Sequence, residues 1–226
     1  MTRQIVLKSR PAGFPTRDNF ELKMADLPAI SAGQVRLVPH TFSVDPYLRG
    51  RMSEAPSYIA PFQIGEPIIG GGVALVSESK VSGIEVGNYV MGYMPWQEEI
   101  VTDAIGLMVV DKNIAPLSYY LGILGMPGLT AWFGLLDIGK PKSGETVVIS
   151  GAAGAVGIVA GQIAKIHGCN VNGITGDDSK ADYLIKELKF DSVINYKTTY
   201  NGFEKLPDAF IALFEGKNLG KLIVEV

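Results

Sequence analysis

Polar and apolar residues alternate over short stretches in the first 120 residues, which do not look like the part after Gly144. Strand signals recur at Gln4 to Lys8, Gln34 to Ser43, Ile68 to Ser77, Asn88 to Met94 and Glu98 to Thr102. Turn clusters such as Pro11-Ala12-Gly13, Ser31-Ala32-Gly33, Ser82-Gly83 and Val86-Gly87-Asn88 separate them. Short strands at this spacing favour a β-barrel-like domain. Gly70-Gly71-Gly72 lies inside a strand pattern, which predicts a bulge or a close backbone approach. A helix is expected to begin near Ser118, and the Gly125 to Thr130 segment falls at the junction between two domains.

From Pro141-Lys142-Ser143-Gly144 onward the pattern changes. Glu145 to Ile149 reads as a strand, Ile158 to Ile166 as a helix and Asn170 to Gly176 as a second strand. Ser179 to Lys189 then reads as a helix and Ser192 to Tyr196 as a third strand. Strands and helices alternating in this way predict a parallel βαβαβ half of a doubly wound sheet. The fold class is therefore α/β, a barrel followed by a Rossmann-type domain.

The chain has 226 residues, enough for one large domain or two small ones with real cores. Hydrophobic residues make up 47% and charged residues 19%, the balance of a folded globular protein. A net charge of -3 gives no reason to expect nucleic acid or an anionic membrane as partner. Met1-Thr2-Arg3 leads straight into a strand, so no signal peptide is expected, and no apolar run is long enough for a membrane span. The single cysteine, Cys169, excludes a disulfide framework and a multi-cysteine zinc site. A cytoplasmic location is expected.

The first strand of the parallel half runs directly into Ser150-Gly151-Ala152-Ala153-Gly154-Ala155-Val156-Gly157 and then into a helix. A strand, glycine turn and helix in that order make a phosphate cradle. Gly151 allows the tight turn, Gly154 admits a pyrophosphate close to the backbone, and Gly157 allows close helix packing. Ala153, Ala155 and Val156 complete the turn, and the helix N-terminus offers N–H groups and a positive dipole end. The end of the second strand decides between cofactors. Gly176 makes room and Lys180 offers a cation to a 2′-phosphate, whereas Asp177 and Asp178 suit the bare ribose of NAD. The balance favours NADP, with a solvated Lys180 as the bland alternative. Tyr196, at the third strand end, reads either as a neighbour of the ribose–phosphate region or as sheet packing.

The order of motifs resembles the medium-chain dehydrogenase/reductase superfamily: a barrel, Met126-Pro127-Gly128-Leu129-Thr130-Ala131, then Ala152 to Gly157. More narrowly, Ser43-Val44-Asp45-Pro46-Tyr47-Leu48-Arg49-Gly50-Arg51-Met52 resembles the zinc-free double-bond reductases, which include prostaglandin, alkenal and bacterial curcumin reductases. Asn195-Tyr196-Lys197 and Gly216-Lys217-Asn218-Leu219-Gly220-Lys221 resemble further family segments. The resemblance implies a GroES-like catalytic domain over 1–120, a Rossmann NADP-binding domain over 121–200 and a C-terminal return to the barrel over 201–226. It also implies NADPH as cofactor and an enone or enal as small-molecule substrate. Hydride would go to the β-carbon, and the enolate would then be protonated.

No metal is implied. Ser43-Val44-Asp45 and Gly65-Glu66 stand where zinc-dependent relatives carry their Cys and Gly-His motifs. His40 and His167 read as structural, and Cys169 as a small packed residue. Tyr47 is the candidate catalytic and substrate-binding phenol, with packing after Pro46 as its alternative. Tyr58 is a candidate substrate contact or an exposed loop aromatic. Arg49 and Arg51 read as surface or ion-pair residues sooner than anion contacts. Met126, Gly128, Thr130 and Asn218 would meet the cofactor; helix packing, or a C-cap at Asn218, is the alternative.

The resemblance also exposes a gap. After Asn195-Tyr196-Lys197-Thr198-Thr199-Tyr200 the chain passes directly to Asn201-Gly202-Phe203-Glu204-Lys205, where the family continues its sheet. At roughly 30 residues per βαβ unit, about a hundred residues of the second Rossmann half are missing. The family's homodimer pairs through an outer strand in that part, which argues against dimerisation of this chain. A zinc-free quinone reductase and a dinucleotide-binding module without catalysis remain as alternatives.

Overall fold

The computed structural model describes residues 1–195 and the backbone of 200–201 and 224–225. It divides into two compact units, Met1–Leu121 and Gly122–Val226.

The first unit is antiparallel. Strands β1 (Thr2–Leu7) and β2 (Phe20–Ala25) pair in register from Thr2 opposite Ala25 to Leu7 opposite Phe20. After β3 (Gln34–Phe42) comes a short helix, α1 (Tyr47–Arg51). The chain then forms β4 (Ile69–Ser79), β5 (Tyr89–Pro95), β6 (Ile100–Asp103) and β7 (Met108–Val110). These make one sheet in the order β6-β3-β4-β5-β7. Side chains alternate across a pleated strand, so Val35 and Leu37, Ala74 and Val76, and Val90 and Met94 point to one face. Together with Ile84 and Ile100 they form the buried core of the unit.

The five expected strands are present within two residues at either end; β2 and β7 are additional. The glycine run is a close approach and not a bulge. Gly70 to Gly72 pair continuously with Met94 to Gly92. A Cβ on Gly72 would stand 2.7 Å from Met94 Sδ, and one on Gly70 would stand 3.3 Å from Trp96 Nε1. The register shifts lie instead in the β3–β4 pairing, at Arg36/Leu37 and Pro39/Thr41. Pro39 has no N–H to give to the ladder, so a slip there is the physical outcome.

The helix expected from Ser118 is not continuous. Leu117–Leu121 is one tight 3-10 turn, and α2 runs over Met126–Trp132. Gly125 is extended at φ -116 and Pro127 sits in the first turn, where its missing N–H costs nothing. The helix widens into π-helical turns over Phe133–Gly139 and stops at Lys140, which is left-handed at φ 49.

The second unit then forms β8 (Thr146–Ser150), α3 (Gly157–Ile166), β9 (Asn170–Thr175), α4 (Asp178–Lys186) and β10 (Ser192–Asn195). The sheet is parallel in the order β10-β9-β8, as the alternating pattern predicts. The second helix ends at Lys186, short of the expected Lys189, because Lys189 is itself left-handed at φ 58. Ala152, Ala164, Cys169, Val171, Leu184 and Phe190 form the core. Close helix-to-sheet packing comes from Phe190, whose ring fills the space beside Gly161 on α3 and Gly173 on β9. A short parallel pair joins β11 (Tyr200–Asn201) to β12 (Val224–Glu225).

Candidate functional site

In the second unit the glycine turn closes on itself. Gly151 is left-handed at φ 61, and Gly154 N donates to Gly151 O at 2.8 Å. Ala152 N donates to Ile174 O at 3.0 Å, which fastens the turn to β9. A Cβ on Gly157 would collide with Gly151 O and with Ala152 backbone, 2.8 Å from its Cα. Gly157 is therefore required for the turn to fold against the head of α3. A Cβ on Gly154 would meet only Gly151 O, at 3.1 Å, so its outer side is open to a guest. Gly154, Ala155 and Val156 are exposed and Ala153 is partly so. At the head of α3, Ile158 N already donates to Gly154 O at 3.0 Å and Ala160 N to Val156 O at 2.9 Å, so the N–H groups left for an anion are the remaining ones of the turn and first helical residues. The residues fit a pyrophosphate.

Beyond β9, Gly176 is half-buried and Asp177 to Lys180 are exposed. Asp177 caps α4. Its Oδ1 accepts Lys180 N at 3.2 Å and also the Ser179 hydroxyl. The Ser179 hydroxyl, followed by the Lys180 N–H, holds the Asp177 carboxyl below the usual carboxylate range. Asp178 Oδ1 accepts Asn195 Nδ2 at 2.7 Å. Both acids that argue for NAD thus have local hydrogen-bond partners. The Asp177 cap is visible in the sequence as an acid just ahead of a helical pattern. The Asn195 partnership has no sequence signal, since only the β9–β10 pairing brings it near.

In the first unit Asp45-Pro46 leads into α1, and Tyr47 is its first residue. The ring packs on the cluster of Leu7, Leu48, Met52, Phe62 and Ile68. The Tyr47 hydroxyl is buried and meets no partner at good hydrogen-bond geometry among the described residues, with Tyr93 near enough to act on it. Burial first, then the neighbouring Tyr93 and Asp45, push its pKa up to about 12; Arg51 opposes them. Tyr47 is therefore a neutral O–H donor near pH 7. Tyr93, largely exposed on β5, has no sequence signal as a neighbour.

Arg49 and Arg51 are fasteners. Arg49 donates to Gly13 O at 2.8 Å and Pro11 O at 3.2 Å. Arg51 donates to Ala60 O at 3.1 Å and lies 4.1 Å above the Phe62 ring. Both hold loops through carbonyls, which corrects the ion-pair reading. Tyr58 is 95% exposed. A cavity of about 660 Å³ in this unit is walled by Ile5, Leu22, Phe42, Val44 and Trp96 among others, but by neither Tyr47 nor Tyr58.

On α2, Met126 and Thr130 are exposed, and Thr130 Oγ1 donates to Met126 O at 2.7 Å. Gly128 is buried, and any Cβ there would overlap the Ile123 carbonyl, so its structural role is set by its own turn. His40 Nδ1 lies 2.8 Å from Thr41 Oγ1, and His167 Nδ1 lies 2.9 Å from Ile163 O. Cys169 is buried, with Sγ 3.4 Å from Lys142 O. Among the described residues no group of three or more His, Cys, Asp or Glu side chains could hold a metal. Tyr196 and Asn218 lie outside the described residues.

Residues 3–110 match a family model described as the N-terminal domain of oxidoreductase. The chain is 38% identical to a 2-alkenal reductase (NADP(+)-dependent) of Nicotiana tabacum, across 99% of this chain and 69% of that protein. It belongs to the zinc-free medium-chain dehydrogenase/reductase family. Within that family it is 50% identical to a putative NADP-dependent oxidoreductase, YfmJ, of Bacillus subtilis, over 87% of this chain and 58% of that protein. It is 43% identical to the NADPH-dependent curcumin reductase of Escherichia coli, over 86% of this chain and 56% of that protein. The crystal structure of CurA from Vibrio vulnificus in complex with NADPH superposes with a TM-score of 0.83. That pair is 40% identical, covering 98% of this chain and 64% of the other. The architecture is accordingly a GroES-like domain with a Rossmann domain, and the parallel sheet holds three strands among the described residues. The chain spans 56% to 58% of these two bacterial relatives.

Proposed function

We propose that the chain carries the machinery of an NADPH-dependent reductase acting on the C=C bond of α,β-unsaturated aldehydes and ketones, of the alkenal or curcumin type. Segments 1–120 and 121–200 divide the work as catalytic and cofactor-binding domains. NADPH, when bound, supplies the hydride to the substrate's β-carbon. The Gly151 to Gly157 turn holds the pyrophosphate on backbone N–H groups, and Gly176 and Lys180 receive the 2′-phosphate. Met126 and Thr130 remain candidates for contact with the cofactor, as do Gly128, Tyr196 and Asn218.

The observation that carries the enone reading is the Tyr47 hydroxyl, a buried O–H with no acceptor at good hydrogen-bond geometry among the described residues. Such a donor suits a carbonyl oxygen on which negative charge develops as hydride arrives. Placed there, it lowers the barrier without ionising, because its pKa lies well above the working range. Tyr58 is the candidate second wall for the substrate. No helix among the described residues is long and apolar enough to cross a membrane. A cytoplasmic location fits a lone unpaired cysteine.

Loss of reduced-nicotinamide absorbance with NADPH and an alkenal tests the reading. Turnover of quinones but not enones would move it to a quinone reductase. A second reading, a dinucleotide-binding module without turnover, is favoured by a parallel sheet of three strands among the described residues. Cofactor binding by folded protein without any absorbance loss would select it.

A further inference from the structure

The acid pair Asp177-Asp178 at the head of α4 is at odds with an NADPH site, and the structure shows how both carboxylates are managed. β10 pairs with β9 with Asn195 opposite Thr175, so Asn195 stands at the carboxyl end of the strand beside the cofactor strand. β8 and its glycine turn lie on the other side of β9. The Asn195 Nδ2–Asp178 Oδ1 bond of 2.7 Å therefore draws Asp178 towards β10, away from the side on which the glycine turn stands. Asp177 is turned inward on its own helix by Ser179 and Lys180 N. That leaves the Lys180 ammonium as the cation beside the strand end.

We propose that Asn195 is a positioning residue for cofactor choice: its amide holds the Asp178 carboxylate on the β10 side, so that a 2′-phosphate can settle beside Lys180. The inference rests on the NADPH reading of this unit. An unlatched Asp178 has two effects of the same sign on selectivity. Its charge repels a 2′-phosphate a few ångströms away, and its oxygens can accept from a free ribose 2′-hydroxyl, as acids at this strand end do for NAD.

The test uses the full chain and two small probes, 2′,5′-ADP and 5′-AMP, with binding followed by calorimetry. The unaltered chain is expected to prefer 2′,5′-ADP. Asn195→Ala is expected to cut that preference about tenfold, chiefly by weakening 2′,5′-ADP. Adding Asp178→Asn to Asn195→Ala is expected to restore it. Asn195→Ser, too short to reach, gives the same expectation should the alanine variant fold poorly. An unchanged preference, an equal loss for both probes, or no restoration by Asp178→Asn would overturn the role of Asn195. An unaltered chain with no preference for 2′,5′-ADP would instead overturn the NADPH reading, and this inference with it.

Discussion

The ring of Phe190 occupies the space that a methyl group on Gly161 would need, so the ring lies against helix α3 at a distance only glycine permits. Gly161→Ala is expected to destabilise the second unit by about 1–3 kcal/mol, the usual cost of overpacking a filled core. Denaturant unfolding measures it. Combining Gly161→Ala with Phe190→Leu is expected to recover part of the loss, and additive losses would show that the two residues do not share the space.

Tyr47→Phe separates catalysis from stability. The hydroxyl has no well-formed hydrogen bond among the described residues, and its neighbour Tyr93 is open to water, so its removal leaves no buried group newly unsatisfied there. Stability is expected to stay level or rise by about 1 kcal/mol. Turnover is expected to fall about 100-fold with NADPH affinity unchanged. A loss of stability with full activity would return Tyr47 to a packing role.

The same phenol fixes a pH dependence. Its ordinary pKa of 10.0 is raised to about 12 in the folded chain, so the folded state holds this proton more tightly than the unfolded state. Stability from this group is intact below pH 10 and is lost as pH rises towards 12. Phenolate absorbance should show one fewer tyrosine ionising near pH 10 in the native chain than in the unfolded one. Tyr47→Phe should abolish that difference.

Lys180→Ala should weaken NADPH about tenfold or more and leave NADH nearly untouched, because only the former carries the 2′-phosphate. Fluorescence titration with both cofactors decides it. Equal weakening would make Lys180 a general helix residue.

Asp191 joins α3 and β9. It accepts Lys165 Nζ at 2.8 Å and Val171 N, and these bonds hold its carboxyl below the usual range, the lysine contributing most. A depressed carboxylate stabilises above its unfolded pKa and loses that contribution as pH falls through its folded pKa. Asp191→Asn should lower Tm at pH 7, and the gap from the unaltered chain should close in acid.

The parallel half is legible in the sequence because its apolar strands and the glycine turn between them leave a dense local record. The first unit is less completely legible. Phe20, Leu22 and Met24 alternate with Glu21 and Lys23, which is a strand pattern, yet Leu22 is 62% and Met24 56% exposed, so no core accompanies it. β7 has only three residues, too few for any period. The helix expected near Ser118 is broken because Gly122 and Gly125 interrupt an otherwise apolar stretch. In the site, Gly151 to Gly157 and Tyr47 are legible from neighbours in the chain. The buried Tyr47 hydroxyl, its Tyr93 neighbour and the Asn195–Asp178 bond are not, since each depends on residues joined only by folding.

The cradle and its mouth obey different rules. Gly157 cannot change without breaking the turn that makes the site, whereas Asp177, Asp178, Ser179 and Lys180 are exposed. Recognition of a dinucleotide is thus bound up with the ability to fold, while the preference between two dinucleotides is held at the surface, where substitutions cost little. A lineage carrying this unit could exchange one reducing currency of the cell for the other by a few surface mutations, with the architecture beneath them left alone.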